Sequence, residues 1–326
     1  MTLIRPPDLI KPLDRAFAME AVRVTEAAAI AAAGEIGRGD EHAADQAAVE
    51  AMRAAFNALP IDGTVVIGEG ERDEAPLLFI GEKVGTGGLP VDIALDPLEG
   101  TTLAAKAMGN ALAVMAMAEP GTLLRVPDAY MDKIAIGGGF KDGLIDLDAE
   151  PGDNINALAK ARGVKPRDLK ICIMDRPRHE GLIAKVRKTG AAVALITDGD
   201  VAGVIAITDP ATGIDMFLGV GGAPEGVLAA AALRCTGGQM QARLVFRNDE
   251  ERRRAENSGI TNPDRKYTLR ELAAGDVVFA ATGVTDGTLL KGVHRQGDYL
   301  TTESVVMRSA TGTVRHVRAR HMRALV

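Results

Sequence analysis

The stretch that decides the fold is VDIALDPLEGTT, residues 91–102. Its first half is the apolar run of a buried β-strand, and the run closes on Asp96. The proline that follows fixes the chain as it leaves the strand, and Gly100 lets the backbone approach a ligand closely. Thr101 stands at the expected start of a helix, a position suited to an anion. The stretch therefore predicts that Asp96 and Glu99 reach one site at the end of a strand.

Upstream of this strand the sequence predicts two helices and a further strand. A helix with apolar residues at three- and four-residue steps is expected to begin at a cap on Asp14 and to end within residues 34–39. The second helix is expected to begin near residues 40–44 and to end before Pro60. The run TVVIGEG, residues 64–70, then predicts a strand that ends in an acid.

Downstream, short apolar runs alternate with helical segments. Strands are expected at residues 111–118, 133–139 and 143–154, and the Pro-Gly turn in the last of these marks the predicted domain boundary. The second half alternates strand and helix, which implies parallel strands with helices packed on them. Its predicted elements are strands at 170–175, 192–200 and 215–222, helices at 182–188, 200–208 and 224–234, and several strands after residue 276.

These patterns predict an α/β protein with an α+β part. The length of 326 residues is enough for two domains. We place an N-terminal α+β domain at residues 1–152 and a C-terminal α/β domain at residues 153–326.

Composition argues against several classes of protein. The net charge of −6 disfavours binding to nucleic acid through phosphate contacts. Two cysteines are too few for a disulfide scaffold or a zinc ribbon, and they fit a reducing cytoplasm. No apolar run reaches about 18 residues and no signal-peptide segment is evident, so a membrane location is not expected. The lack of Gly-x-Ser-x-Gly, Walker A and Gly-x-Gly-x-x-Gly motifs argues against serine hydrolases, P-loop enzymes and nicotinamide dehydrogenases.

Carboxylates gather at the predicted strand ends. Asp45 lies on the second helix, Glu69 ends one strand, and Asp96 and Glu99 follow the next. These acids are either solvated loop residues, which is the better interpretation for Glu71 taken alone, or they converge. Converging carboxylates repel one another, and burying them without compensation costs several kcal/mol each. A hard divalent cation, Mg²⁺ or Mn²⁺, resolves the repulsion, and the five histidines form no metal-spaced pair.

The hexapeptide DPLEGT, residues 96–101, resembles the Asp-Pro-(Ile/Leu)-(Asp/Glu)-Gly-Thr signature of the lithium-sensitive, metal-dependent sugar and inositol phosphatases. The blocks around it resemble class II fructose-1,6-bisphosphatase in order and spacing; they are GRGDEHAADQAAVEAMR, GTVVIGEGERDEAP, VDIALDPLEGTT, PDAYMDK, RPRH, DGDVA and GGAPEG. The resemblance covers residues 15–318. It implies the layered α-β-α-β-α sandwich of the sugar phosphatases, with metals bound by the N-terminal domain and substrate by the C-terminal domain.

The resemblance also implies roles for individual residues. The implied ligands of the divalent metals, Mn²⁺ or Mg²⁺, are Asp45, Glu69, Asp96, Glu99 and Glu225. Asp73 and Thr101 would orient and deprotonate the attacking water. The implied substrate-binding residues are Glu99, Gly100, Thr101, Tyr130, Arg176, Pro177, Arg178, Asp198, Gly199, Asp200 and Gly222.

The implied reaction is the direct attack of water, activated by metal ions, on the 1-phosphate of fructose 1,6-bisphosphate. Sedoheptulose 1,7-bisphosphate is a candidate second substrate, because some bacterial members hydrolyse it. Two positions depart from the family pattern. Glu41 stands near a position where the family often has lysine, so a basic contact near the reacting phosphate is missing or replaced. Arg176 also stands where the family often has lysine. The replacement keeps the positive charge but exchanges a compact ammonium group for a planar, forked guanidinium.

Without the resemblance, several of these residues have a second interpretation. Arg176 and Arg178 straddle a proline and would clamp a phosphate or form a solvated surface turn. Asp198 and Asp200 would accept hydrogen bonds from sugar hydroxyls or cap the following helix. His179 is expected to be structural rather than a base.

Two rival functions are open on the sequence. An inositol or other sugar monophosphatase shares the metal-binding turn but does not need paired arginines. A non-catalytic protein that binds anions or nucleic acid is motivated only by arginines whose spacing is typical of the wet face of an edge strand, namely Arg315, Arg318, Arg320 and Arg323. The expected partners are a small sugar bisphosphate and further copies of the chain in a dimer or tetramer, with no nucleic acid and no membrane.

Overall fold

The computed structural model describes residues 17–70 and 76–325. Within these residues the chain forms nine α-helices and fourteen β-strands. The helices are α1 (Phe17–Ala33), α2 (Glu41–Phe56), α3 (Thr101–Ala105), α4 (Pro151–Arg162), α5 (Glu180–Lys188), α6 (Asp200–Ala206), α7 (Ala223–Thr236), α8 (Asp249–Asn257) and α9 (Leu269–Leu272). The strands are β1 (Ile61–Ile67), β2 (Lys83–Val84), β3 (Leu89–Glu99), β4 (Leu112–Ala118), β5 (Tyr130–Ile136), β6 (Lys170–Met174), β7 (Ala192–Ile196), β8 (Met216–Gly222), β9 (Gln239–Val245), β10 (Tyr267–Thr268), β11 (Val277–Gly283), β12 (His294–Gln296), β13 (Tyr299–Arg308) and β14 (Thr313–Met322).

The first sheet is mixed, and its central strands β4 and β11 are buried on both faces. Its order is β12-β13-β11-β4-β3-β1-β2, with β14 paired to β13. β1 and β3 run parallel, and β4 and β11 are antiparallel to their neighbours. Along β4, Ala113 and Met115 pack towards α1 and α2, whereas Val114 and Ala116 pack towards the core between the two sheets. This alternation explains why the strand reads as a continuous apolar run.

The second sheet has the order β10-β9-β5-β8-β6-β7. β6 is parallel to both β7 and β8, as the strand-helix alternation predicted, and β5 is antiparallel to β8 and β9. Cys172 of β6 packs with α6 and α7 between the sheets, and its neighbour Ile171 packs with α4 and α5 on the outer face. The layers are therefore α1–α2, first sheet, α6–α7, second sheet and α4–α5. The α-β-α-β-α arrangement expected from the resemblance is confirmed.

Besides β1, which ends at Ile67 and not at the predicted acid Glu69, two expectations about individual elements are wrong. The first placed the end of the strand at Asp96, but β3 continues to Glu99 across an irregularity in its pairing with β4. A bulge of this kind accommodates Pro97, which has no N–H to give to a ladder.

The second wrong expectation is a strand over residues 143–154. Residues 143–150 form turns, and α4 begins at Pro151, a residue suited to the first helical position. The backbone N–H groups of Leu144 and Leu147 donate to the side chains of Gln239 and Gln241, at 3.3 and 2.8 Å. The glutamine side chains thus accept backbone hydrogen bonds that were expected to be made with a neighbouring strand.

The expected division between residues 152 and 153 falls inside α4. β5, which precedes that point, belongs to the second sheet, and β11–β14, which follow it, belong to the first. Each sheet therefore contains strands from both sides of the predicted division. That the two parts fold independently stays a prediction. The predicted cap at Asp14 lies outside the described residues. In the described part of the chain, no helix is both long and apolar enough to cross a membrane.

Candidate active site

A cavity of about 460 Å³ lies where the ends of β1 and β3 meet the first turns of α6 and α7. Its wall is unusually acidic. The carboxylates that line it are Asp45, Glu69, Asp96, Glu99, Asp128, Asp198, Asp200 and Glu225. All five predicted metal ligands are among them, and Gly100, Thr101 and Gly199 line the same space. The structure therefore brings together acids from β3, from loops beside strands and from the three helices α2, α6 and α7.

Local backbone geometry explains how β3 delivers its two acids. The bulge separates Asp96 from Glu99, so both side chains reach the cavity although they are three residues apart. Gly100 follows with φ of 88°, and a Cβ there would lie 2.8 Å from Leu103 Cδ1, so only glycine fits easily. The chain then turns at once into α3 with Thr101 as its first residue.

Glu99 connects the two sheets through the start of α6. Its carboxylate accepts the backbone N–H of Val201 and of Ala202, the latter at 3.1 Å. The side chain is almost fully buried, with 3% exposed. A carboxylate has about four lone-pair sites, so these bonds leave capacity for a cation.

The acids raise one another's pKa values. Burial, followed by the charges of Asp45 and Glu225, raises the pKa of Glu69 to about 8. Burial and four neighbouring carboxylates raise the pKa of Asp96 well above its ordinary value. Burial and then the charge of Asp200 raise the pKa of Glu225 to about 7. Negative charge is therefore in excess in this cavity.

The donor set fits a hard divalent cation that keeps part of its water shell. Within residues 17–70 and 76–325, no three Asp, Glu, His or Cys side chains are close enough to form a ready-made cage. However, Oε2 of Glu225 is buried and has no hydrogen-bond partner among the described residues, and the carboxylates around it repel one another. Mg²⁺ is usually bound by one or two carboxylates and several waters, and a cation would remove both penalties.

A second cavity, of about 340 Å³, adjoins the first and shares four acidic residues with it. Its wall contains Tyr130, Arg176, Arg178, Gly222 and Arg247. Nε and Nη2 of Arg178 donate to the carbonyl of Val220, and its guanidinium lies 5.0 Å from the centre of the Tyr130 ring. Of the predicted substrate residues, only Pro177 lines neither cavity; it begins a short 3₁₀ turn, Pro177–His179.

His179 has a structural position beneath the arginines, as expected. The N–H of Val220 donates to its Nε2 at 2.9 Å, so the ring proton is on Nδ1, which donates to the carbonyl of Met174 at 2.7 Å. Burial lowers the pKa of this histidine, and both ring nitrogens are used. The neutral ring fixes β6 and β8 at the edge of the second cavity.

The remaining residues named in the sequence analysis have different positions in the structure. Asp73, the expected catalytic acid, lies outside the described residues. Glu41 is the first residue of α2, and its charge adds to the burial that raises the pKa of Asp198. Arg315, Arg318 and Arg320 are exposed on β14, which pairs with β13 along one side, as expected for the wet face of an edge strand.

Three residues at or beside these cavities were missed by sequence reasoning: Asp128 and Arg247, which line them, and Lys133, which pairs with Asp200 of their shared wall. Lys133 is 1% exposed, and its Nζ pairs with Asp200 and donates to the carbonyl of Gly222 at 2.9 Å. A lysine within an apolar run such as KIAI requires a buried partner, and this was a usable signal. Asp128 and Arg247 flank strands in ordinary polar loops and gave none.

The layered fold, with its acidic cavity and adjoining arginines, defines the class as a phosphatase that works with divalent metal ions. The chain matches the model of the family described as bacterial fructose-1,6-bisphosphatase, glpX-encoded, over residues 15–321. It belongs to that family, as the sequence resemblance predicted.

Curated relatives agree with this assignment. The chain is 43% identical to the D-fructose 1,6-bisphosphatase class 2/sedoheptulose 1,7-bisphosphatase of Synechococcus sp. (strain JA-3-3Ab). It is also 43% identical to the fructose-1,6-bisphosphatase class 2 of Haemophilus influenzae. Each alignment covers 95% of this chain and 97% of the relative.

Proposed function

We propose that this protein hydrolyses the 1-phosphate of fructose 1,6-bisphosphate and releases fructose 6-phosphate and inorganic phosphate. The observation that carries the proposal is the contact between two cavities of different chemistry. One is lined by the five acids assigned to metal ions, and the other contains paired arginines. A molecule with phosphates at both ends spans such a pair, whereas a monophosphate offers no second phosphate to the arginines.

The acidic cavity would hold Mn²⁺ or Mg²⁺ on Asp45, Glu69, Asp96, Glu99 and Glu225. When bound, such a cation lowers the pKa of water and offsets the charge that develops on phosphoryl oxygens. The hydroxyl of Thr101, which begins α3 just after the bulged strand β3, would orient the attacking water and pass on its proton. The family resemblance assigns the acceptance of that proton to Asp73.

The second cavity would bind the sugar and the distal phosphate. Arg176 and Arg178 supply forked donors to the phosphate, and Tyr130 packs beside them. Asp198 and Asp200 line both cavities and would accept hydrogen bonds from sugar hydroxyls, with Gly199 between them. A Cβ on Gly222 would overlap the Glu225 carboxylate, so glycine at this position leaves room for that carboxylate.

Sedoheptulose 1,7-bisphosphate is proposed as a second substrate. The name of the Synechococcus relative includes this activity. We also propose that the protein acts in the cytoplasm as a homo-oligomer. Its two cysteines are both free and buried, which suits a reducing compartment.

Phosphate release tests the proposal. Purified protein is assayed with fructose 1,6-bisphosphate, sedoheptulose 1,7-bisphosphate and inositol 1-phosphate, with Mn²⁺ or Mg²⁺, before and after chelation. We expect turnover of the bisphosphates, little turnover of the inositol phosphate, and loss of activity with EDTA. Activity that survives chelation, or a preference for the inositol phosphate, would contradict the proposal.

A further inference from the structure

A third arginine lies in the cavity with Arg176 and Arg178. Arg247 follows β9 and contributes to the wall of the 340 Å³ cavity. Its guanidinium carbon is 5.1 Å from the centre of the Tyr130 ring, and that of Arg178 is 5.0 Å from the same centre. The aromatic ring thus holds two guanidinium groups beside one space.

Arg247 is fixed from behind by Glu251. Glu251 is 1% exposed; its carboxylate accepts Nε of Arg247 and, at 2.8 Å, the backbone N–H of the same residue. This pairing uses the inner edge of the guanidinium. Its two terminal amino groups have no hydrogen bond to a described residue, so they remain available as donors. An arginine held in this way loses little conformational freedom when it binds an anion.

We propose that Arg247 is the third arginine that contacts the distal phosphate, beside Arg178 and Tyr130. The inference rests on the proposed function. A phosphate dianion accepts several charge-assisted hydrogen bonds, and Arg178 already gives two of its donors to the carbonyl of Val220. Arg247 supplies further hydrogen-bond donors to the phosphate in place of the two that Arg178 gives to the carbonyl of Val220. Glu251 is its positioning residue.

The test separates the two ends of the substrate. Fructose 6-phosphate carries only the distal phosphate, and fructose 1-phosphate carries only the reacting one. Arg247→Gln is expected to weaken fructose 6-phosphate binding, measured by calorimetry, by about tenfold, the effect of one charge-assisted hydrogen bond. It should raise KM for fructose 1,6-bisphosphate by a similar factor and leave hydrolysis of fructose 1-phosphate unchanged.

Arg252 provides a matched control. It stacks over Phe246 at 5.0 Å and pairs with Asp264, but it lines neither cavity. Arg252→Gln should bind fructose 6-phosphate as the wild type does. Arg247→Lys leaves the buried Glu251 with a cationic partner. Its affinity for fructose 6-phosphate should fall about threefold, because lysine keeps the positive charge but lacks the forked guanidinium donors. Glu251→Gln should lose affinity while the Arg247 charge remains.

The outcomes distinguish this inference from the proposed function. Unchanged fructose 6-phosphate affinity in both Arg247 variants overturns the inference, and so does an equal loss in Arg252→Gln. If Arg247→Gln loses affinity but the wild type does not hydrolyse fructose 1,6-bisphosphate, the phosphate contact stands and the proposed function fails.

Discussion

Replacement of Lys133 by methionine tests the buried ion pair that joins the two cavities. Lys133 and Asp200 are 1% and 5% exposed, so the pair is shielded from solvent. Removal of one partner from a buried pair leaves an uncompensated charge and typically costs about 3–5 kcal/mol. The carbonyl of Gly222 also loses its donor. We therefore expect Lys133→Met to lower the free energy of unfolding by about 3–5 kcal/mol.

Urea unfolding of the metal-free protein, followed by circular dichroism, measures this loss. With an m-value of about 3 kcal/mol/M, the midpoint should fall by about 1 M or more. Lys83→Met is the matched control, because Lys83 pairs with Asp62 at 3.0 Å but both side chains are more than half exposed. An exposed pair contributes about 0–1 kcal/mol, so the control should change little.

The double variant Lys133→Met/Asp200→Asn should recover part of the stability, because it removes the orphaned charge. An equal, small effect of Lys133→Met and Lys83→Met would refute the reasoning. So would a double variant that is less stable than Lys133→Met alone.

Three further predictions follow from single side chains. Burial lowers the pKa of His179 below its ordinary value of 6.5, so below about pH 6.5 the unfolded state binds a proton that the folded state does not, and the contribution of this residue to stability falls as the pH drops. Because the raised pKa values of the buried acids act in the opposite direction, the quantity to measure is the difference in urea midpoint between wild type and His179→Gln from pH 7.5 to 5.5; it should move against the wild type, and a constant difference would contradict this. Burial raises the pKa of Cys172 and Cys235 to about 12, so DTNB at pH 8 should detect no fast thiol in the native protein and two after denaturation; a fast native thiol would show that one cysteine is accessible. Arg178→Ala should raise KM for fructose 1,6-bisphosphate about tenfold or more and change kcat little, whereas an unchanged KM in steady-state assays would remove Arg178 from the distal-phosphate contact.

Much of the fold could be predicted because its elements carry local signals. β4 and β6 are apolar on both faces, and α2 begins at Asp40, whose side chain accepts the N–H of Ala43. The strand expected over residues 143–154 failed for a non-local reason. Gln239 and Gln241, more than 90 residues later, satisfy that backbone, and no pattern within the segment reveals them.

The acids assigned to metal ions and the two arginines Arg176 and Arg178 were predicted, whereas Asp128, Lys133 and Arg247 were missed. Asp96 and Glu99 stand in one short motif, so their convergence is visible in the sequence. The partner of Asp200 is 67 residues away on β5, so the sequence signals that Lys133 needs a buried partner but not which one. Arg247 pairs with Glu251 only four residues later, but its position beside Tyr130 depends on tertiary packing and emerges from the structure.

Calorimetric titration of metal-free protein with Mn²⁺ at pH 7, in two buffers of different ionisation enthalpy, tests the central claim most directly. Glu69 and Glu225, whose pKa values lie at about 8 and 7, must lose protons when a cation binds. The account predicts binding with release of about one proton or more per chain, and loss of binding in Asp96→Asn. No binding, or binding that releases no proton, would contradict it.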